Sequence, residues 1–69
     1  MMNELIPQIE EARAQGAIVL LKWDGERAEL PCTVMVSRKD TGYDWRRDCD
    51  DMAATLVEAL LDYRAGHAH

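Results

Sequence analysis

The feature that most constrains the fold is an apolar run at residues 17–23, AIVLLKW, which ends directly at an Asp-Gly pair. β-Branched and large apolar side chains favour a strand, and Asp-Gly is a strong hairpin signal. A second run of similar character covers residues 30–38, with Pro31 near its start, where a strand tolerates the missing N–H. The sequence therefore predicts two strands joined by a turn at residues 24–27.

A third strand is predicted directly after this hairpin. Residues 38–42, RKDTG, have the composition of a turn. Residues 43–47, YDWRR, then alternate, so Tyr43, Trp45 and Arg47 should point to one side of a short strand. The residues between them, Asp44 and Arg46, should point to the other side.

Helical periodicity precedes the three strands. Residues 4–15 carry apolar side chains at helical spacing, with Asn3 as a good N-cap residue. Pro7 falls in the first turn, where its missing N–H does no harm. Gly16 follows as a C-terminal stop, so the first helix is predicted to end at residue 15.

A second helix is predicted after the strands, over residues 50–64, with its end near Gly66. Its apolar stripe consists of Met52, Leu56, Leu60 and Tyr63. Three carboxylates stand at its start, and we expect them to cap free N–H groups and to complement the helix dipole. They are Asp48, Asp50 and Asp51. The last residues, 66–69, are predicted to be a loose tail.

The predicted order is α-β-β-β-α within a single α+β domain, residues 1–69. Short connections favour a three-stranded antiparallel meander, and both helices can cover one of its faces, which gives a two-layer sandwich. This element order resembles that of the double-stranded RNA-binding domain. That family carries a lysine cluster at the start of its second helix, where this chain has its three aspartates. The resemblance therefore implies a shared fold type and speaks against double-stranded RNA binding.

Charge and hydropathy exclude several classes of protein. The 69 residues carry a formal net charge of −5, which disfavours non-specific contact with nucleic acid or anionic lipid and suits a partner with a basic surface. The run AIVLL is far shorter than the roughly 20 residues of a membrane-spanning helix. The N-terminus lacks a signal-peptide pattern, so we expect a cytoplasmic protein. Cys32 and Cys49 are then expected to be free thiols.

Motifs for metal binding and catalysis are missing from the sequence. Clustered aspartates suit calcium or magnesium, but the spacing of a calcium-binding loop is absent, and helix capping accounts for them. His67 and His69 lack a third ligand. The carboxylates around Cys49 disfavour a reactive thiolate, and Ser37 has no base near it in sequence. We therefore predict no enzymatic activity, no cofactor and no metal.

Period-2 alternation divides the strand residues into two sets. The set predicted to meet the helices is nearly all apolar: Val19, Leu21, Trp23, Cys32, Val34, Val36, Tyr43 and Trp45. The opposite set has an apolar centre of Ile18, Leu20 and Met35 and a polar rim of Lys22, Thr33, Ser37, Asp44 and Arg46. An apolar centre with a polar rim is typical of an interface. The simplest partner is a second copy, packed sheet against sheet as a homodimer.

Two functions remain open from the sequence. The first is a small acidic binding protein that acts on another macromolecule, as inhibitors, immunity proteins, antitoxins and phage-encoded antagonists do. The alternative is a nucleic-acid-binding regulator that uses the basic and aromatic side chains of residues 38–47. Its candidate contacts are Arg38, Lys39, Trp45, Arg46 and Arg47.

Overall fold

The computed structural model describes residues 2–67, which form two helices and a three-stranded sheet. The elements follow the predicted order: α1 Met2–Ala14, β1 Ile18–Trp23, β2 Cys32–Arg38, β3 Tyr43–Cys49 and α2 Met52–His67. The sheet has the order β1-β2-β3, and both neighbouring pairs are antiparallel. The α+β class and the antiparallel meander are therefore confirmed. Of the predicted loose tail, residues 66 and 67 form the end of α2 instead, and residues 68 and 69 lie outside the described residues.

The register of the sheet fixes which side chains share a face. Val36 lies opposite Val19 on one side and Trp45 on the other, and this row points toward the helices. One residue earlier on β2, Met35 lies between Leu20 and Arg46, and this row points away from them. The alternation of the strands thus places two different chemical surfaces on the two sides of the sheet.

Both helices cover the same side of the sheet, as predicted. Helix α1 packs on β1, α2 packs on β2 and β3, and the two helices also contact each other. Val34, Val36 and Leu56 are the largest fully buried side chains, and they lie where the central strand meets α2. The core is completed by Leu5, Ala12, Ala17, Cys32, Cys49, Met52, Ala59, Leu60 and Tyr63.

Trp23 is an exception to the inward assignment, since 63% of its surface is exposed. It is the last residue of β1, which is an edge strand with a neighbour on one side only. Alternation correctly gives its side of the sheet, but burial also needs a helix above that position. The other residues of the predicted inward set are buried or partly buried against the core.

The connection between β1 and β2 is longer than the predicted turn and covers residues 24–31. The Asp24 side chain accepts a hydrogen bond from the Glu26 N–H at 3.0 Å, and the Asp24 N–H donates to the Pro31 carbonyl at 2.7 Å. Leu30 adopts a left-handed backbone conformation with φ of 48°, so it cannot continue β2. The Asp-Gly pair begins this loop but does not close a two-residue hairpin.

The three aspartates predicted to cap α2 have three different roles. Asp51 caps the helix, because its Oδ1 accepts a hydrogen bond from the Ala54 N–H at 3.1 Å. Asp50 accepts one from the Leu30 N–H at 3.2 Å and so ties the long loop to the start of α2. Asp48 belongs to β3, which extends to Cys49 instead of ending at residue 47. The shared capping role was therefore wrong for Asp48 and Asp50.

Candidate protein-binding surface

The side of the sheet opposite the helices, here called the outer face, consists of three rows of side chains. The register places them as Ile18, Ser37 and Asp44; Leu20, Met35 and Arg46; and Lys22, Thr33 and Asp48. No helix of the described residues 2–67 packs on this face, because α1 and α2 both lie on the other side.

The apolar centre of the outer face is formed by Ile18, Leu20 and Met35. Ile18 is 61% exposed and Leu20 is 46% exposed. Met35 lies on the central strand, with a neighbouring strand on each side, and is half-buried. Leu20 and Met35 are direct cross-strand partners, and Ile18 is two residues from Leu20 on the same side of β1. The structure thus brings the three predicted interface residues into one continuous patch.

One end of the outer face is closed by a polar network. The Thr33 hydroxyl donates to Asp48 Oδ1 at 2.7 Å, and Arg27 Nη2 donates to Thr33 Oγ1 at 3.2 Å. Arg27 Nη1 also lies 3.6 Å from Asp48 Oδ2, and Arg46 Nη2 lies 3.9 Å from Asp48 Oδ1. The Thr33 hydrogen bond and then the two guanidinium groups hold the pKa of Asp48 below its ordinary value. Thr33 is buried in this network although it faces away from the helices.

Arg27 is a residue of this surface that the sequence did not reveal. It lies in the loop between β1 and β2, and its contacts with Thr33 and Asp48 exist only because β2 pairs with β3 in this register. Its Nε atom is buried without a hydrogen bond and lies 3.6 Å from Asp24 Oδ2. No local spacing pattern would connect residue 27 with residue 48.

The basic and aromatic residues predicted as nucleic-acid contacts do not form one surface. Arg46 lies on the outer face, whereas Arg47 lies on the helix side, where it stacks 4.9 Å from the Trp45 ring centroid and forms an ion pair with Glu58. Trp45 itself is half-buried against the core. Alternation along β3 accounts for this separation, since adjacent residues of a strand point to opposite faces.

Arg38 and Lys39 stand at the opposite end of the sheet from the Thr33 network. They border a shallow groove of about 380 Å³, together with Gly16, Ile18, Ser37, Gly42 and Tyr43. Arg38 Nε forms an ion pair with Asp40 Oδ1 at 2.7 Å, and its Nη1 donates to the Tyr63 hydroxyl at 3.3 Å. These bonds raise the pKa of Arg38 and lower that of Asp40. Asp40 thus offsets the positive charge that an anion would need there.

Cys32 and Cys49 are free thiols and direct cross-strand partners. Both are buried under the start of α2, and the Cys32 thiol donates to the Asp50 carbonyl at 3.7 Å. Burial, followed by the neighbouring Cys49, raises the pKa of the Cys32 thiol. Both thiols are shielded by burial, so these residues serve as part of the core.

The aspartates considered as metal ligands do not converge on one point. Asp44 and Asp48 lie on the outer face, whereas Asp50 and Asp51 lie in the connection to α2. Within residues 2–67, no group of three or more His, Cys, Asp or Glu side chains has the arrangement to hold a metal ion. His69 lies outside the described residues.

Comparison of the chain with protein-family models, with curated proteins and with solved structures found no match. The described helices are also too short or too polar to cross a membrane. The arrangement of the outer face is therefore the main observation on which a function can be argued.

Proposed function

We propose that this chain is a small non-enzymatic protein that acts by binding another protein through its outer face. The observation that supports this most is the continuous apolar centre of Ile18, Leu20 and Met35, which the helix layer leaves uncovered. An antiparallel sheet with one free face normally presents polar side chains to water. Burying this patch against a partner would recover roughly 25 cal/mol per Å² of apolar area.

The rim of the patch supports a protein partner in preference to a nucleic acid. Lys22 and Arg46 stand beside the apolar centre, but Asp44 and Asp48 share the same face, so opposite charges alternate around it. A mixed rim suits a protein surface with its own pattern of charges. A phosphate backbone would instead require an excess of basic side chains.

The proposed class includes inhibitors, immunity proteins, antitoxins and phage-encoded antagonists. These proteins bind a target without changing it chemically, so a compact surface with an apolar centre is sufficient for them. The acidic helix layer supplies a second candidate contact for a partner with a basic surface. The buried free thiols support a reducing compartment, and we propose that the protein acts in the cytoplasm.

The proposal is tested by capture of partners on a charge variant of the outer face. Met35→Glu places a carboxylate in the apolar centre, on the central strand, and should reduce capture of the partner at least about tenfold. Leu61→Glu is the matched control, because Leu61 is exposed on α2 and lies outside the outer face. Tagged wild-type and variant chains would be incubated with lysate of the native host, and bound proteins would be quantified by mass spectrometry.

The binding must then be reproduced with the purified partner by calorimetry, with circular dichroism to show that both variants are folded. Equal binding by Met35→Glu and wild type would contradict the proposed surface. A captured complex that disappears on nuclease treatment, with a salt-dependent shift of labelled RNA or DNA, would support the nucleic-acid-binding regulator instead.

A further inference from the structure

The free edge of β1 is a second unpartnered feature of the sheet, distinct from the outer face. In the order β1-β2-β3, β1 pairs with β2 on one side only. The Asp24 N–H donates to the Pro31 carbonyl, so Asp24 and Pro31, which follow the Trp23–Cys32 pair, are a hydrogen-bonded pair. Hydrogen-bonded and non-hydrogen-bonded pairs alternate along an antiparallel ladder, so Trp23 and Cys32 are a non-hydrogen-bonded pair. The backbone groups of Val19, Leu21 and Trp23 therefore point away from β2. Within residues 2–67, none of these outward groups has a hydrogen-bond partner.

The two edges of the sheet differ strongly in character. Strand β3 carries charged side chains along its length, at Asp44, Arg46, Arg47 and Asp48. Charged residues on an edge strand oppose the addition of another strand. Strand β1, IVLLKW, has Lys22 as its single charged residue, contains no proline, and pairs with β2 without a bulge. Apart from Lys22 near its end, β1 thus lacks the features by which edge strands usually avoid pairing.

We propose that β1 pairs with β1 of a second copy, antiparallel and edge to edge, which creates one continuous six-stranded sheet across a dimer. A two-fold axis perpendicular to the sheet keeps the outer faces of both copies on the same side. The longest overlap of residues 17–23 centres this axis at Leu20. Val19 and Leu21, whose backbone groups point outward, then form the hydrogen-bonded pairs with Leu21 and Val19 of the second copy.

The side chains of β1 suit this pairing. Leu20 would face Leu20 of the second copy on the outer side, and Val19 would face Leu21 on the helix side, so apolar side chains meet in both layers. Ile18 would lie opposite Lys22, whose stem can pack on it while its ammonium reaches water. The two Lys22 residues are thereby kept apart, and no acidic residue lies within the paired segment. The paired strands therefore bring no two carboxylates against each other.

The dimer does not depend on the proposed function, and it leaves Met35 uncovered. Edge pairing extends the outer face of one copy into that of the next, whereas sheet-on-sheet packing would bury both outer faces. The two arrangements can be separated by changing one residue at the edge and one at the centre.

The first experiment compares Leu20→Glu with Met35→Glu by sedimentation at micromolar concentration. Edge pairing brings two carboxylates directly opposite each other in Leu20→Glu, which should weaken dimerisation at least about tenfold. Met35→Glu should remain as dimeric as wild type, because β2 is not at the edge. Loss of the dimer in both variants would overturn edge pairing in favour of face packing, and a monomeric wild type would overturn the dimer itself.

Disulfide trapping tests the register without relying on a disruptive variant. Cα atoms at a directly opposed, non-bonded position lie about 4.5 Å apart, within reach of a disulfide, so Leu20→Cys should form a covalent dimer with a mild oxidant. Ile18→Cys is the control, because the two Ile18 positions would be about 13 Å apart along the strands. The native thiols are buried and should leave wild type uncrosslinked. Equal crosslinking of both variants would contradict the proposed register.

Hydrogen exchange supplies a readout on the wild-type chain. The amides of Val19 and Leu21 should exchange quickly in the monomer and become protected at concentrations where the dimer forms. The amides of Leu20 and Lys22, which face β2, should be protected in both states. Protection of Val19 and Leu21 that does not change with concentration would contradict the pairing.

If Leu20→Glu and Met35→Glu both dimerise normally but lose the foreign partner, the proposed function stands and edge pairing fails. If the dimer behaves as expected and no variant changes partner capture, the edge inference stands and the proposed function fails.

Discussion

Asp48 shows how a single residue changes role when strands pair. Its carboxylate lies on the outer face and receives a hydrogen bond from Thr33, with Arg27 and Arg46 nearby. These contacts favour the charged form, so the pKa of Asp48 in the folded protein is below its ordinary value of 3.8. Asp48 therefore stabilises the fold most at a pH above this ordinary value.

We predict that Asp48→Asn makes the free energy of unfolding of the domain less dependent on pH in the acidic range. In wild type, the contribution of Asp48 is complete above the unfolded-state pKa and is lost as the pH falls through the lower folded-state pKa. The free energy of unfolding of Asp48→Asn should thus decline less steeply than that of wild type below about pH 4. Urea unfolding at a series of pH values measures this slope. Parallel wild-type and variant curves over this range would show that the network does not act through the charge of Asp48.

Leu30 is strained by its backbone conformation. Its φ of 48° lies in the left-handed region, which costs an L-residue other than glycine roughly 1–2 kcal/mol. The conformation lets the Leu30 N–H donate to Asp50 and so connects the loop to the start of α2. The tie to Asp50 compensates for the strain.

We predict that Leu30→Gly raises the free energy of unfolding by about 0.5 kcal/mol, since relief of strain exceeds the added entropy of the unfolded chain. The neighbouring Glu29→Gly should have the opposite sign, because Glu29 has no positive φ to relieve. Chemical denaturation of both variants gives the comparison. A destabilised Leu30→Gly would mean that its half-exposed side chain contributes more to packing than its backbone costs.

At the scale of elements, Asp51 is the one of the three neighbouring aspartates whose side chain bonds an N–H in the first turn of α2. Asp51 Oδ1 accepts the Ala54 N–H, and the Asp51 carbonyl accepts the Thr55 N–H as the first helical bond. At its C-terminal end, α2 continues past residue 64, the last residue of the predicted helix, and through Gly66. A Cβ at Gly66 would lie 2.8 Å from the Tyr43 ring, so this glycine permits a close approach instead of ending the helix.

We predict that Asp51→Ala destabilises the domain by about 1 kcal/mol through loss of the N-cap. Asp51→Asn should be nearly as stable as wild type at neutral pH, because an amide oxygen can accept the same hydrogen bond. Thermal and urea unfolding of the two variants would separate capping from charge. A similar loss in both would assign the effect to the negative charge at the helix N-terminus.

At the scale of the whole molecule, the buried core of residues 2–67 lies on one side of the sheet, between the strands and the two helices. The core extends from Leu5 of α1 through Val34 of the central strand to Leu56 of α2. The buried hydrophobic residues of the described chain form a single cluster, so one part has no core of its own to stay folded while another opens. The thiols of Cys32 and Cys49 lie inside this shared core and can report on its opening.

We predict that both thiols react with a disulfide reagent at the rate of global unfolding. Their burial and the raised pKa of Cys32 disfavour attack on the folded chain. Leu61→Cys places a thiol on the exposed surface of α2 and should react at once, as a positive control. Labelling in increasing urea measures the dependence, and rapid reaction of either native thiol without denaturant would reveal a local opening at the sheet end near α2.

Local sequence patterns were sufficient to predict the element order, the antiparallel meander and the set of strand side chains that meets the helices. These follow from local information, because period-2 and helical spacing sort apolar from polar side chains within each segment. Val34 and Val36 are inward for this reason, and Ile18, Leu20 and Met35 are correctly placed on the opposite side.

Roles that depend on contacts between distant residues follow only from the way in which the elements pack. Asp48 and Asp50 have the sequence positions of helix caps. In the structure, pairing of β3 with β2 places Asp48 where it accepts a hydrogen bond from Thr33, and the long loop brings the Leu30 N–H to Asp50. Likewise, Trp23 lies on the predicted side of the sheet but is exposed, because it is the last residue of an edge strand. Side-chain periodicity determines direction, whereas burial and hydrogen-bond partners depend on which other elements reach the same place.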